Sequence, residues 1–273
     1  MSKYPVRIIA VDLDDTLLKD DLTISDYTVS VLQKAAAAGI YVVLASGRTD
    51  NAILTYVRRL DIAGFEQGRY MIAQNGASIT DLHERKTIFE QHVNLDVLIG
   101  AYKLASEEGL FPEVYDASTI YVPQPNKWTD VDLRLSGLNQ GVVEDYAAFL
   151  AKGWPKMVIP GEPAHLQVFL RKLKSTFGDG AVFFVSKPYF LEILPANCGK
   201  GEALSWLCDR LGINQEETMA FGDSMNDESL MRYACHSVGM LNGLDEIKKI
   251  AAHVTEKTNE EDGVAHFIDK YVL

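Results

Sequence analysis

Short apolar runs alternate with helical patterns along the first 75 residues. Val6 to Val11 is an apolar, β-branched run typical of a strand covered on both faces. Thr23 or Ser25 can cap the helix that follows, and Gly39 stands where a left-handed residue ends a helix. The pattern predicts strands over 6–11, 40–45 and 70–74 and helices over 29–38 and 50–60. Strands and helices in this alternation indicate a doubly wound, Rossmann-like α/β fold with a parallel sheet.

The pattern changes after Asn75, where short strands joined by short connections indicate antiparallel pairing. Helical spacing recurs over 95–108, 142–152 and 163–177, with strands between them. The α/β alternation resumes near residue 200 and ends in a helix over 263–271. We therefore expect a catalytic core formed by 1–83 and 188–273 and an inserted α+β domain over 84–187.

Composition and charge limit the partners of this chain. Its 273 residues carry a formal net charge of -12 without a basic run, which argues against nucleic acid as a partner. An anionic substrate would need a metal ion or a focused cationic side chain to approach. The three cysteines form no CxxC pair, so we expect buried, reduced thiols. The N-terminal apolar run is too short for a signal or membrane segment, which predicts a cytoplasmic protein.

Two carboxylates, Asp12 and Asp14, lie two residues apart where the first predicted strand ends. Side chains at that spacing share one face of a strand, and open α/β sheets bind ligands at such strand ends. A simple acidic turn after a strand explains this pattern equally well. A calcium loop does not, because Leu17 stands where the loop needs glycine and Thr23 where it needs glutamate.

A second acidic motif, Gly222 to Asp227, follows the apolar strand TMAF. If its strand lies beside the first one, Asp223 and Asp227 join Asp12, Asp14 and Asp15 in one crevice, where like charges resist joint ionisation. A cation resolves this repulsion, and hard oxygen ligands favour Mg2+. The motif taken alone is equally consistent with a turn that caps the next helix.

Two weaker motifs stand at other predicted strand ends. Ser46, Gly47 and Arg48 offer a hydroxyl, a flexible backbone and a helix N-terminus to a phosphate, although a serine cap and a surface arginine explain them as well. Lys200 lies between two glycines at a helix start. The surrounding sequence does not match a Walker motif, which requires GxxxxGK[ST].

Together, the motifs DLDDTL, ASGR, GKG and GDSMND, in this order, resemble the haloacid dehalogenase (HAD) superfamily. The long insertion after Asn75-Gly76-Ala77 is similar to the cap of its Cof-type (subclass IIB) phosphatases. The resemblance covers nearly the whole chain. It departs from the family at Asp15, where many Cof-type sequences carry glycine.

The resemblance implies a role for each motif residue. Asp12 is the expected nucleophile, Asp14 the general acid and then base, and Lys200 a further catalytic residue. Mg2+ is expected at the side chains of Asp12 and Asp223 and the main-chain carbonyl of Asp14, with Asp227 supporting the metal. Substrate and phosphate binding is expected from Leu13, Ser46, Gly47, Lys200 and Asn226.

The expected function is hydrolysis of small-molecule phosphate monoesters, such as sugar phosphates or phosphorylated cofactors, through an aspartyl-phosphate. Two alternatives stay open: a phosphomutase or phosphotransferase that uses the same intermediate, and a non-catalytic module that binds phosphometabolites. We expect the inserted domain to select the substrate, no nucleic acid or membrane partner, and a monomer or small homo-oligomer.

Overall fold

The structure, a computed structural model, describes residues 4–273. The chain divides into two compact units: residues up to 89 together with 199–273, and residues 90–198. Among residues 4–273, the helices lack the combined length and apolarity needed to cross a bilayer.

The first unit contains an eight-stranded sheet in the order β14-β13-β12-β1-β2-β3-β4-β5. Its strands are β1 Ile8–Val11, β2 Tyr41–Ala45, β3 Tyr70–Ala73, β4 Ser78–Asp81, β5 Lys86–Glu90, β12 Thr218–Gly222, β13 His236–Gly239 and β14 His253–Val254. All pairs from β14 to β3 are parallel, and β4 pairs antiparallel with β3. The expected doubly wound α/β core is confirmed.

Helices cover both faces of this sheet. They are α1 Asp26–Ala37, α2 Asp50–Leu60, α7 Lys200–Leu211, α8 Glu228–Tyr233, α9 Asp245–Ile250 and α10 Gly263–Tyr271. One apolar cluster joins α1, α2 and α10 to one face, and a second joins α7, α8 and α9 to the other. Because both faces are buried, the central strands are apolar at nearly every position.

Local sequence signals explain where the helices begin and end. Of the two predicted caps for α1, Ser25 is the one that acts, because its Oγ accepts a hydrogen bond from the Thr28 amide at 3.0 Å. Gly39 follows the helix with φ +89°, which glycine adopts without a steric penalty. The expectation of three buried thiols is wrong for Cys235, which is exposed where β13 begins.

The second unit contains a six-stranded sheet in the order β10-β11-β9-β6-β7-β8. Its elements are α3 Leu95–Glu107, β6 Glu113–Tyr115, β7 Thr119–Val122, α4 Lys127–Ser136, β8 Asn139–Val142, α5 Tyr146–Leu150, β9 Met157–Pro160, α6 Pro163–Phe177, β10 Ala181–Lys187 and β11 Phe190–Pro195. Helices α3 and α6 pack on one face, and apolar residues of α4 pack against the other.

The second unit differs from the expected pattern in two ways. Only five residues of the segment 142–152, for which the spacing predicts a helix, form one, α5. The first residue of the segment, Val142, belongs to strand β8. The unit also begins and ends later than the expected insertion of 84–187. Strand β5 extends the first sheet, and β11 forms an antiparallel hairpin with β10 that keeps both strands in the second unit.

Two acidic side chains share a buried position between β6 and α4. The Tyr115 hydroxyl lies 3.1 Å from Glu113 Oε2 and 2.6 Å from Asp132 Oδ2. A hydroxyl has one proton to donate, so the second contact requires a proton on a carboxyl group. Burial first, and the Asp132 charge second, raise the pKa of Glu113 from 4.5 to about 8.

We predict that this pair makes the stability of the protein depend on pH. The pKa of Glu113 is higher in the folded than in the unfolded state. Its contribution to the free energy of unfolding is therefore fully present below about pH 4.5 and is lost as the pH rises to about 8. We expect the melting temperature of Glu113→Gln, relative to that of wild type, to be higher at pH 8.5 than at pH 5.5. Each kcal/mol of difference in the free energy of unfolding corresponds to about 2–4 °C.

Glu107→Gln is the matched control, because this α3 glutamate is exposed to solvent. Its melting temperature should follow that of wild type at both pH values. A Glu113→Gln variant with the same pH dependence as this control would contradict the prediction.

Candidate active site

The two acidic motifs lie side by side because their strands pair. β1 and β12 are parallel neighbours, with Val11 opposite Phe221 in the register. The Asp12 amide continues this ladder by donating to the Phe221 carbonyl at 3.1 Å. The condition that the sequence left open is therefore met, and the carboxylates that follow the two strands share one end of the sheet.

Lys200 is the cation at the centre of this end of the sheet. Its side chain is fully buried, and its Nζ donates to Asp12 Oδ1 at 2.5 Å and to Asp227 Oδ1 at 2.6 Å. The residue opens helix α7, where the helix dipole disfavours a positive charge. The two carboxylates offset that cost and hold the ammonium group in place.

Three carboxylates form a compact set of oxygen donors beside Lys200. One oxygen from each of Asp12, Asp223 and Asp227 lies within 4.8 Å of the others, and all three residues are buried. Thr16 orients Asp223 by donating its hydroxyl proton to Oδ1 at 2.9 Å. Three carboxylates against one ammonium leave two excess negative charges, so the donor chemistry and the charge both fit Mg2+.

Burial and mutual repulsion raise the pKa of two carboxyl groups of this set, those of Asp12 and Asp223. Burial first, then the charge of Asp227, raises the pKa of Asp12 well above its usual value, against the opposing effect of Lys200. The same two causes raise the pKa of Asp223 to about 7. Burial acts to lower the pKa of Lys200, but Asp12 and Asp227 outweigh it and raise that pKa. A bound cation would lower the cost of ionising the carboxyl groups.

Asp227 also stabilises its own loop. Its second oxygen, Oδ2, accepts hydrogen bonds from the amides of Asp223 at 3.0 Å and Ser224 at 3.2 Å. The turn passes so close to β12 that a Cβ on Gly222 would lie 2.6 Å from the Asp227 side chain. These contacts fit the supporting role that the sequence predicts for Asp227.

Asp14 does not join the buried carboxylates through its side chain. Its carboxylate is about one-third exposed and accepts from Arg48 Nε at 2.9 Å and Nη2 at 2.6 Å. The neighbouring Leu13 side chain is buried in the apolar core. Any contact of Leu13 with a phosphate would therefore come from its backbone.

The Ser46-Gly47 loop lies at the same end of the sheet, because β2 is the parallel neighbour of β1. Asn75 braces it: its amide donates to the Ser46 carbonyl at 2.9 Å, and its Oδ1 accepts from Asn226 Nδ2 at 3.1 Å. A Cβ on Gly47 would lie 2.9 Å from Asn75 Oδ1, which explains the glycine. Three expected phosphate-binding residues, Ser46, Gly47 and Asn226, are thus joined through Asn75.

The structure brings the expected site residues together at one end of the sheet, and their individual roles stay predictions. Three further residues of this region were not among the expected site residues: Thr16, Arg48 and Asn75. Thr16 and Arg48 lie within the motifs DLDDTL and ASGR, so the sequence indicated that both are near the site. The sequence did not indicate their partners, because Thr16 forms a hydrogen bond with Asp223, 207 residues away in sequence, and Arg48 with Asp14, 34 residues away.

The backbone conformation of Asp15 explains why many Cof-type sequences carry glycine at this position. Its backbone is left-handed, with φ 58° and ψ 6°, within the tight turn Leu13–Leu17. Aspartate is one of the few residues with a side chain that enter this region often. The side chain points to solvent, and its charge contributes to the raised pKa of Asp223.

Comparisons with known proteins agree with the fold and the motifs. The sequence profile of the haloacid dehalogenase-like hydrolases matches residues 9–268. Phosphatase YwpJ of Bacillus subtilis is 30% identical, with 98% of this chain and 100% of the relative covered. The 5-amino-6-(5-phospho-D-ribitylamino)uracil phosphatase YwtE of the same organism is 31% identical, with 97% and 98% covered.

A solved structure of a haloacid dehalogenase-like hydrolase from Bacteroides thetaiotaomicron superposes with a TM-score of 0.87 at 28% identity. The match covers 97% of this chain and 99% of that one. This chain belongs to the haloacid dehalogenase-like hydrolase family. The expected family and enzyme class, a hydrolase, are confirmed.

We predict that position 15 tolerates glycine but not a β-branched residue. Asp15→Gly should change the free energy of unfolding by less than about 1 kcal/mol, because glycine adopts positive φ freely. Asp15→Val should lose about 1–2 kcal/mol through steric conflict in the left-handed region. Urea denaturation measures both changes.

Asp20→Val serves as the control, because it makes the same chemical change at an exposed position where φ is not positive. Equal losses at positions 15 and 20 would show that the backbone conformation of Asp15 is not the cause.

Proposed function

We propose that this protein is a Mg2+-dependent phosphatase of the Cof type that hydrolyses small-molecule phosphate monoesters through an aspartyl-phosphate on Asp12. The observation that carries this proposal is the position of the Asp12 carboxylate. This buried carboxylate lies against the ammonium group of Lys200 and close to two further carboxylates, Asp223 and Asp227. Such an arrangement suits a nucleophile that must meet an anion.

The chain supplies groups for both halves of the reaction. In the first half, an Asp12 oxygen forms a bond to phosphorus while the bond from phosphorus to the ester oxygen breaks, and Asp14 gives its proton to that oxygen. In the second half, Asp14 takes a proton from water, whose oxygen bonds to phosphorus as the Asp12–phosphorus bond breaks. The products are an alcohol and inorganic phosphate, and both carboxyl groups return to their starting states.

Mg2+ would be held by Asp12 and Asp223, with the main-chain carbonyl of Asp14 and the nearby Asp227. When bound, it supplies positive charge against the phosphate oxygens and the carboxylates. Lys200 adds the charge that the protein itself provides. Ser46, Gly47 and Asn226, held together through Asn75, supply hydrogen bonds for the phosphate oxygens.

The substrate class proposed first is a phosphorylated sugar or polyol. The relative YwtE is named for a substrate with a phosphoribityl chain, and it aligns with 97% of this chain. A Mg2+-supplemented phosphate-release screen of sugar phosphates, phosphorylated cofactors and nucleotides tests this choice. Release of free phosphate separates hydrolysis from a mutase, which would yield a phosphorylated product.

We predict that Asp12→Asn abolishes phosphate release while the fold is retained. The amide is a poor nucleophile, so the covalent step is lost, and the loss should exceed about 1,000-fold in kcat. Phosphate release from p-nitrophenyl phosphate and circular dichroism measure the two properties. Acid-quenched wild type incubated with a 32P-labelled ester should carry label that hydroxylamine removes.

Asp209→Asn is the control, because this carboxylate is exposed on α7. It should retain wild-type turnover. Ordinary phosphate release by folded Asp12→Asn would refute the proposed nucleophile, and absence of release by wild type from every ester class would support a binding module instead.

We predict that Mg2+ raises the melting temperature of wild type and that Asp223→Asn reduces this rise. A ligand at 100 times its dissociation constant stabilises the folded state by about 2.7 kcal/mol. Replacing one carboxylate of the set weakens binding, so the same Mg2+ concentration should stabilise the variant less. Thermal unfolding across a Mg2+ titration measures the shift without reference to activity.

The control variant is Asp245→Asn, which removes an exposed carboxylate on α9. Its Mg2+-dependent shift should equal that of wild type. If Asp223→Asn and Asp245→Asn respond to Mg2+ alike, the metal does not bind at Asp223.

A further inference from the structure

We propose that Arg48 is a positioning residue that holds Asp14 for its proton transfers, an inference that rests on the phosphatase function proposed above. Within the motif ASGR, sequence patterns favour a surface salt bridge for this arginine. The structure shows a different setting. The Arg48 side chain is only 14% exposed, and its partner is the expected proton donor of the reaction.

The contact between the two residues fixes both the position and the orientation of a carboxylate. Arg48 Nε donates to Asp14 Oδ2 at 2.9 Å, and Nη2 donates to Oδ1 at 2.6 Å. Parallel hydrogen bonds from the planar guanidinium group define the plane of the carboxylate, which a single bond from an ammonium group does not. Asp14 therefore has a defined orientation although its side chain is 32% exposed.

The guanidinium group is itself held in place from the other side. Its Cζ lies 5.4 Å from the centroid of the Tyr56 ring on α2, which is within the range of a cation–π contact. The Arg48 backbone is fixed as well: its amide donates to Ser46 Oγ at 3.2 Å, and its carbonyl accepts from the Gln74 amide at 2.9 Å. Arg48 thus connects Asp14 to the loops after β2 and β3.

An arginine could have either of two roles in a phosphatase: binding the phosphate group or positioning the proton donor. An arginine that binds the phosphate affects every ester alike, because all esters carry the same phosphate group. An arginine that positions Asp14 matters most where the departing oxygen needs a proton. An alkoxide needs one, whereas p-nitrophenolate leaves without much help. The dependence on the leaving group therefore identifies the role.

The test compares Arg48→Lys with wild type on glycerol 2-phosphate and p-nitrophenyl phosphate. Lysine keeps the charge but cannot make the two parallel bonds. We expect kcat/KM to fall about 10- to 100-fold for the glycerol ester and less than about 3-fold for the nitrophenyl ester. kcat/KM is the required quantity because it includes departure of the alcohol and excludes the later hydrolysis of the aspartyl-phosphate.

A double-mutant cycle with Asp14→Asn on phenyl phosphate supplies a second readout. If Arg48 acts through Asp14, adding Arg48→Lys to Asp14→Asn should cause little further loss. Arg59→Lys is the matched control: Arg59 also pairs with an aspartate, Asp26, at 2.5 Å, but that aspartate is fully exposed on α1. This variant should keep wild-type kcat/KM on all three esters.

Equal losses on the glycerol and nitrophenyl esters, or additive losses in the cycle, would overturn the positioning role and leave the phosphatase function intact. A wild-type protein that releases phosphate from neither ester would overturn both proposals. Circular dichroism and thermal unfolding of each variant distinguish these results from loss of the fold.

Discussion

The buried ion pairs of Lys200 are the interaction on which the site depends. One ammonium group, with no exposed surface, joins Asp12 at the end of β1 to Asp227 in the loop after β12. An unpaired charge in the protein interior costs several kcal/mol, so these ion pairs offset much of the cost of burying the ammonium group. Since α7 starts at Lys200, the same contacts also fix the start of the helix that packs on this face of the sheet.

The set of charges around Lys200 is incompletely balanced. Asp223 adds a third carboxylate, and burial together with the repulsion from Asp227 raises the pKa of Asp12 and of Asp223. In a structural ion-pair network such repulsion would only reduce stability. In a site for a divalent cation it becomes binding affinity, because the cation relieves it. The hydrogen bonds from Thr16 to Asp223 and from two backbone amides to Asp227 keep the carboxylates close together against this repulsion.

The strand-end motifs allowed much of the core to be predicted from the sequence. Apolar runs located β1 and β12, whereas the sequence left open whether the two strands pair, which the structure shows. Pairings between side chains could not be predicted, because Arg48 is equally compatible with a surface position until the fold places Asp14 beside it. In the second unit, β8 was missed since the segment NQGV lacks an apolar run. The left-handed backbone at Asp15 could not be predicted either, because aspartate, unlike glycine, does not indicate a positive φ.

The two acidic residues of the first motif, Asp12 and Asp14, differ in burial and in the cation that holds them. Asp12 is 3% exposed and locked by Lys200, whereas the side chain of Asp14 is 32% exposed and pairs with Arg48. Within the turn, Asp14 has extended backbone angles, and the next residue, Asp15, is left-handed. A nucleophile must be fixed and desolvated, while a group that exchanges protons with an alcohol and with water must stay accessible. The turn after β1 thus suits the two proposed roles, because it leaves Asp12 buried against Lys200 and Asp14 partly exposed beside Arg48.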